Sequence, residues 1–290
     1  MHVRAALTEA VEIGGRTLAL SSLDKLLYPA AQFRKRHVIV YYRAVAPVLL
    51  PHLADRPLHL ARFPDGVEAP GWLQANCRGA PAWLRTHTVT GKRGQTLRFC
   101  VIDDEAALVW AANLGTLELH PFHWTLAHPD EPRALVFDLD PGPGCTLAHC
   151  ADAALAIREA IAPRLACVKT SGVKGLHVFV PLNGGATFAD AKAFARQVAA
   201  DLAARHAWLT DKMPLRERTN RVFIDTSQNG PGHQTVAPYS LRATTVPLVS
   251  APLAWDELAT AAPITPADAV DRIARHGDLF AEVLSVRQTL

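Results

Sequence analysis

The chain has 290 residues, enough for one large domain or two lobes with a substantial core, so a small disulfide-stapled fold is unnecessary. Hydrophobic residues at 49%, charged residues at 20%, and Gly and Pro without any period exclude disorder or a collagen-like chain. The net charge of +3 is too small to announce a nucleic-acid binder, yet residues 1–62 hold nine Lys/Arg against four Asp/Glu, so the basic excess lies at the N-terminal end.

No apolar stretch approaches the roughly 20 residues that span a bilayer and no signal peptide opens the chain, which therefore reads as a soluble cytoplasmic protein with no membrane partner. Cys77, Cys100, Cys145, Cys150 and Cys167 contain no Cys-x-x-Cys pair and are expected to be reduced packing thiols. Arg34-Lys35-Arg36-His37 is either a solvated face or a phosphate-binding patch. Residues 37–50 are predicted helical with a kink or break at Pro47, and Leu58 to Ala61 reads as a strand. Residues 82–103 predict a hairpin turning at Gly91-Lys92-Arg93-Gly94, followed by a short helix over 104–116. After the Pro-rich stretch 121–132 an apolar strand begins at Leu135 and marks a second module. Thr146 caps a helix to about Ile161, strands follow at 166–169 and 175–181, and Thr187 with Asp190 opens a helix with an apolar stripe. Val222 to Asp225 is another strand, and Thr265, Pro266 and Gly277 bracket a last helix.

The chemistry concentrates after residue 133. In Asp138-Leu139-Asp140-Pro141-Gly142 two carboxylates at the end of an apolar strand point to one face. Such neighbours raise each other's pKa and ask for a cation, and hard ions such as Mg²⁺ or Mn²⁺ prefer carboxylate oxygen. The competing reading is a turn in which both residues cap backbone amides. Asp-x-Asp at a strand end serves haloacid-dehalogenase-type phosphatases, which normally have Thr or Val where this chain has Gly142. It also serves metal-dependent sugar-nucleotide transferases, and nucleotidyl transferases of the polymerase and primase type, which add a distant third carboxylate; Asp225 is the candidate here.

Ser171-Gly172-Val173-Lys174-Gly175-Leu176-His177 forms a Gly-flanked turn entering a strand, in which backbone amides, Ser171 and Lys174 are suited to phosphate oxygens. A lone strand histidine is more often packed than functional, but the company of Ser171 and Lys174 draws His177 into the site. Gln228 suits a sugar hydroxyl or phosphate and Arg242 a phosphate, although each taken alone reads as a surface or turn residue.

Phe137-Asp138-Leu139-Asp140-Pro141, Thr170 to His177, Val222-Phe223-Ile224-Asp225-Thr226-Ser227-Gln228-Asn229 and Ala237-Pro238-Tyr239-Ser240-Leu241-Arg242 together closely resemble the polymerase domain of bacterial ATP-dependent DNA ligase D, in the archaeo-eukaryotic primase superfamily. Leu23 to Pro29 and Arg62 to Val67 resemble its N-terminal signatures, so the likeness spans nearly the whole chain. It implies a primase-like α+β fold of two lobes, with mixed and antiparallel sheets flanked by helices. The lobes would be residues 1–132, with a basic DNA-end-binding surface, and residues 133–290, with the catalytic centre.

The resemblance further implies that Asp138, Asp140 and Asp225 form the catalytic, metal-binding triad. It places His120, Ser171, Lys174, His177, Gln228 and Arg242 around the nucleotide, and Lys25 and Lys35 on the 5′-phosphate of a broken or gapped DNA end. Trp72-Leu73-Gln74-Ala75 stands where the family has an aromatic pair before Gln/Glu-Lys, which makes Trp72 the candidate for stacking on a base; Ala75 removes a positive charge, and His37 replaces an acidic or polar helix cap. The implied activity is template-directed addition of ribo- or deoxyribonucleotides to primer 3′ ends in non-homologous end joining, with two Mn²⁺ or Mg²⁺ ions and NTP or dNTP as substrate. Implied partners are 5′-phosphorylated DNA ends, a Ku-like end-binding protein, and ligase and nuclease domains, at the bacterial nucleoid. A sugar-nucleotide transferase would need neither Asp225 nor a DNA-end pocket, and a non-catalytic end-binding module would keep the two lysines but bind no metal.

Overall fold

Alternating apolar strands and capped amphipathic helices set the order of elements in a computed structural model that describes residues 8–90 and 94–290. In the first half these are β1 (Thr8–Ile13), β2 (Arg16–Ser21), β3 (Leu26–Tyr28), β4 (Phe33–Arg34), α1 (Lys35–Leu53), β5 (Pro57–Arg62), β6 (Trp72–Gln74), β7 (Thr86–Thr90), β8 (Thr96–Val101), α2 (Glu105–Asn113) and β9 (Thr116–Pro121). The second half comprises β10 (Ala134–Pro141), α3 (Leu147–Ala160), β11 (Cys167–Thr170), β12 (Leu176–Pro181), α4 (Phe188–Arg205), β13 (Leu209–Thr210), β14 (Val222–Asp225), β15 (Leu241–Arg242), β16 (Leu248–Val249), β17 (Pro252–Leu253), α5 (Pro266–His276) and α6 (Glu282–Ser285). Of the predicted hairpin turn, residues 91–93 lie outside the described residues.

Strands β5 to β9 form a five-stranded antiparallel sheet, in which β5 pairs with β6, β8 and β9. A six-stranded sheet in the order β13-β14-β10-β12-β11-β17 follows, antiparallel except for β13 with β14. One buried cluster runs through both, and Tyr42 of α1 ties the five-stranded sheet to the small β15-β16 sheet: its hydroxyl donates to Leu117 O of β9 and accepts from the Leu241 amide of β15. Central strand β10 packs Leu135, Phe137 and Leu139 into that cluster, which turns Asp138 and Asp140 to the other face. Helix α4 starts where its cap predicts, with Thr187 and Asp190 bonding each other's backbone amides.

Two expectations are corrected. Helix α1 does not break at Pro47 but continues through Pro47 and Pro51 to Leu53, with both prolines and Arg43 on its exposed side. His37 caps this helix by accepting from the Arg34 amide at 3.0 Å. Cys77 and Cys100 are joined in a disulfide rather than reduced, with Cα atoms 5.1 Å apart. A bond from the Cys77 amide to Arg98 O (2.6 Å) pins the loop after β6 beside β8, bringing together thiols that their spacing did not pair. Cys145, Cys150 and Cys167 are free. Among the described residues no helix is long and apolar enough to cross a membrane.

Candidate active site

Strand register assembles the carboxylates. Within the six-stranded sheet β10 lies between β12 and β14, with Asp138 directly opposite His177 on one side and Asp225 on the other. Directly opposed residues share a face, as do residues two apart on one strand, so Asp140 joins them, and Lys169 of β11, opposite His177, extends the row.

Asp138 Oδ1 lies 3.3 Å from His177 Nε2. Burial pushes the Asp138 pKa up, but His177, Lys169 and Arg242 outweigh it and hold the group below the ordinary aspartate value. Asp140 is pushed up, by burial first and then by the charges of Asp138 and Asp225, against Lys174 at 3.9 Å and Arg218 at 3.7 Å. Asp225 Oδ1 accepts from the Ser227 amide at 2.7 Å. Each carboxylate is thus turned to a separate partner, and among the described residues no group of three or more His, Cys, Asp or Glu side chains is gathered closely enough to hold a metal ion as placed. The donor set itself fits a hard divalent cation: three carboxylates stand at register-fixed positions on adjacent strands, and carboxylate oxygen is what such ions prefer.

A cavity of about 320 Å³ opens over this row and is lined by Asp138, Asp140, His120, Ser171, Lys174, His177, Gln228 and Arg242. Asp225 lines a second hollow, of about 510 Å³, with Arg196 and Met213. The Ser171 hydroxyl accepts from the Gly175 amide at 3.1 Å and closes the turn between β11 and β12. Gly172 adopts a φ of +75°, and a Cβ there would stand 2.5 Å from Arg242 Cγ, so glycine lets the guanidinium side chain cross the turn. At Gly175 a Cβ would meet Leu139 O at 2.1 Å, so the turn packs tightly against β10 beside Asp140.

Some site residues were missed by the sequence reading. Glu118 links two predicted residues: its Oε2 lies 2.8 Å from His120 Nε2, and its Oε1 lies 3.2 Å from Arg242 Nε and accepts from the Ala243 amide. Burial raises the Glu118 pKa, but His120, Arg242 and that amide together bring it below the ordinary value. Gln234, with a buried and unpartnered Oε1, lines the cavity, and Arg218 lies over the Phe223 ring beside Asp140. Lys169 had a readable signal, a lysine within a short apolar strand, whereas the others depend on contacts across the fold.

The predicted lysines lie elsewhere. Lys35, at the start of α1, is buried, and its Nζ donates to Ser21 O at 2.6 Å. Burial, together with the nearby charges of Lys25 and Arg62, lowers its pKa to about 8. The Lys35 amide donates to Lys25 O, and the Lys25 ammonium lies 2.5 Å from Asp65. Arg62 covers the exposed Trp72 ring at 5.2 Å. Trp72 is therefore on the edge of the N-terminal sheet, on the side of the lysines, and does not line the cavity that holds the other predicted nucleotide residues.

A carboxylate row on adjacent strands β10 and β14 of a largely antiparallel sheet, beside a glycine-flanked turn that carries Ser171 and Lys174, sits in a fold of the primase-polymerase class. The chain belongs to the family described as LigD, primase-polymerase domain, which matches residues 34–280. It is 38% identical over 277 residues to the multifunctional non-homologous end joining DNA repair protein LigD of Mycobacterium tuberculosis H37Rv, covering 91% of this chain and 36% of that protein. Against the Pseudomonas aeruginosa multifunctional non-homologous end joining protein LigD it is 30% identical over 248 residues, covering 82% and 29%. Among solved structures, the polymerase domain from Mycobacterium tuberculosis ligase D in complex with DNA superposes with a TM-score of 0.88 at 36% identity, covering 93% of this chain and 99% of that one. The chain thus spans about a third of the length of these curated relatives.

Proposed function

We propose that the chain is a template-directed nucleotidyl transferase that adds nucleotides, ribonucleotides by preference, to primer 3′ ends at DNA breaks and gaps in non-homologous end joining. The observation that carries this reading is the register of β10 and β14, which sets Asp225 opposite Asp138 with Asp140 beside them, next to the cradle of Ser171, Lys174 and Arg242. Asp138, Asp140 and Asp225 would hold two divalent ions, Mn²⁺ by preference. Such ions supply a lowered pKa for the primer 3′-hydroxyl and charge neutralisation for the triphosphate.

Lys174 and Arg242 offset the triphosphate charge, while His120, Ser171, His177 and Gln228 fix its orientation. Trp72 offers a ring for a base, and Lys25 and Lys35 hold the 5′-phosphate of the downstream strand. In this division residues 1–132 grip the DNA end and residues 133–290 carry the chemistry. A Ku-like protein and ligase and nuclease domains are the proposed partners, in the cytoplasm at the bacterial nucleoid.

The test is incubation with a primed, 5′-phosphorylated gapped duplex, Mn²⁺ and each nucleotide in turn. Extension by the nucleotide that matches the template is expected, with ribonucleotides used best. DNA binding without extension would instead indicate an end-binding module, and turnover of a sugar nucleotide without DNA binding a sugar-nucleotide transferase.

A further inference from the structure

We propose that Lys169 is a positioning residue that keeps the ring proton of His177 on Nε2 and so holds Asp138 in place, an inference that rests on reading Asp138 as a metal ligand. Lys169 is fully buried in β11, directly opposite His177. Its Nζ lies 2.8 Å from His177 Nδ1 and donates to Ser250 Oγ at 2.6 Å, with the Phe179 ring 5.7 Å away. The Ser250 hydroxyl gives its own hydrogen to Thr170 O at 2.8 Å, so it receives the one from Lys169.

An ammonium has hydrogens to give and no lone pair, so Nδ1 of His177 must accept. With Nδ1 occupied as an acceptor, the ring proton sits on Nε2, which points at Asp138 Oδ1 3.3 Å away. Donation runs in one direction, from Lys169 to His177 to Asp138, which lines the cavity. A lysine buried among core side chains is costly unless its hydrogens are used, and this arrangement uses them to orient a carboxylate ligand from behind, as outer partners of metal sites do.

Long-range ¹H–¹⁵N spectra of the histidine rings, recorded on metal-free protein, read the tautomer directly. Wild-type His177 is expected in the Nε2–H form; an Nδ1–H form would overturn the proposal whatever the variants do. Lys169→Met keeps the packing but removes the donor, and should lose the single Nε2–H pattern. Lys169→Gln supplies an amide N–H and should retain it. In calorimetric titration with Mn²⁺ alone, Lys169→Met should bind about tenfold more weakly and Lys169→Gln within about threefold of wild type. A folded Lys169→Met protein with the wild-type ring pattern and Mn²⁺ affinity would also overturn it. Asp138→Asn separates the two readings: unchanged Mn²⁺ affinity in that variant defeats the metal assignment, while the tautomer measurement on wild type stands independently.

Discussion

The carboxylate row on β10 and β14 and the lysine pocket before α1 both crowd like charges, but they are built by different means. The row joins residues remote in the chain through antiparallel register, and each acid finds its own partner: His177 for Asp138, Lys174 and Arg218 for Asp140, the Ser227 amide for Asp225. The lysine pair joins residues close in the chain through a bond from the Lys35 amide to Lys25 O; Lys25 has Asp65 at 2.5 Å as its counter-charge, and the buried Lys35 ammonium donates to Ser21 O. On the proposed reading each site takes a ligand of opposite sign: a hard cation at the row, an anion at the lysines. Because the two regions draw on separate elements, they should fail separately.

The largest effect is expected at the row. Asp138→Ala or Asp225→Ala should cut primer extension by about a thousandfold or more, the scale of the charge stabilisation that bound metal ions supply. Affinity for 5′-phosphorylated DNA, read by fluorescence anisotropy, should stay within about twofold, since distant sites act independently. Retained extension in either variant would break the triad assignment.

At the pocket, Lys25→Ala combined with Lys35→Ala should lower the preference for a 5′-phosphorylated over an unphosphorylated end by about 10- to 100-fold, the range for losing one or two charged hydrogen bonds. Extension rates at saturating DNA should remain, and an unchanged affinity ratio would count against the pocket.

A smaller, pH-dependent effect separates the two lysines. With its pKa lowered to about 8, Lys35 carries its charge below that value and loses it as the pH rises through it. The 5′-phosphate preference should therefore decline several-fold between about pH 7 and pH 9, and Lys35→Met should flatten the profile. A wild-type profile flat over that range would mean that Lys35 does not hold the phosphate.

The smallest expected change is in salt dependence. The slope of log affinity against log salt should become shallower by about 1 to 2 in the double lysine variant and remain unchanged in Asp225→Ala. Equal slopes in all three proteins would place the phosphate contacts elsewhere.

Much of this was legible from local features. Elements whose ends depend on neighbours in the chain were placed correctly, such as α4 with Thr187 and Asp190 at its start and α5 between Pro266 and Gly277, because caps and turns are short-range physics. The three motifs and the N-terminal basic excess pointed to phosphate and metal chemistry before any fold was known.

Other features were decided only when distant segments met. Antiparallel pairing put Asp225 opposite Asp138, strand stacking buried Lys169 behind His177, and Glu118 reached both His120 and Arg242 across the fold. The disulfide between Cys77 and Cys100 and the placement of Trp72 against Arg62, outside the cavity over the carboxylate row, likewise followed from which segments pair. Residue type and spacing along a chain determine what a segment can do, whereas pairing between strands sets which side chains share a face, and that depends on the whole chain packing at once.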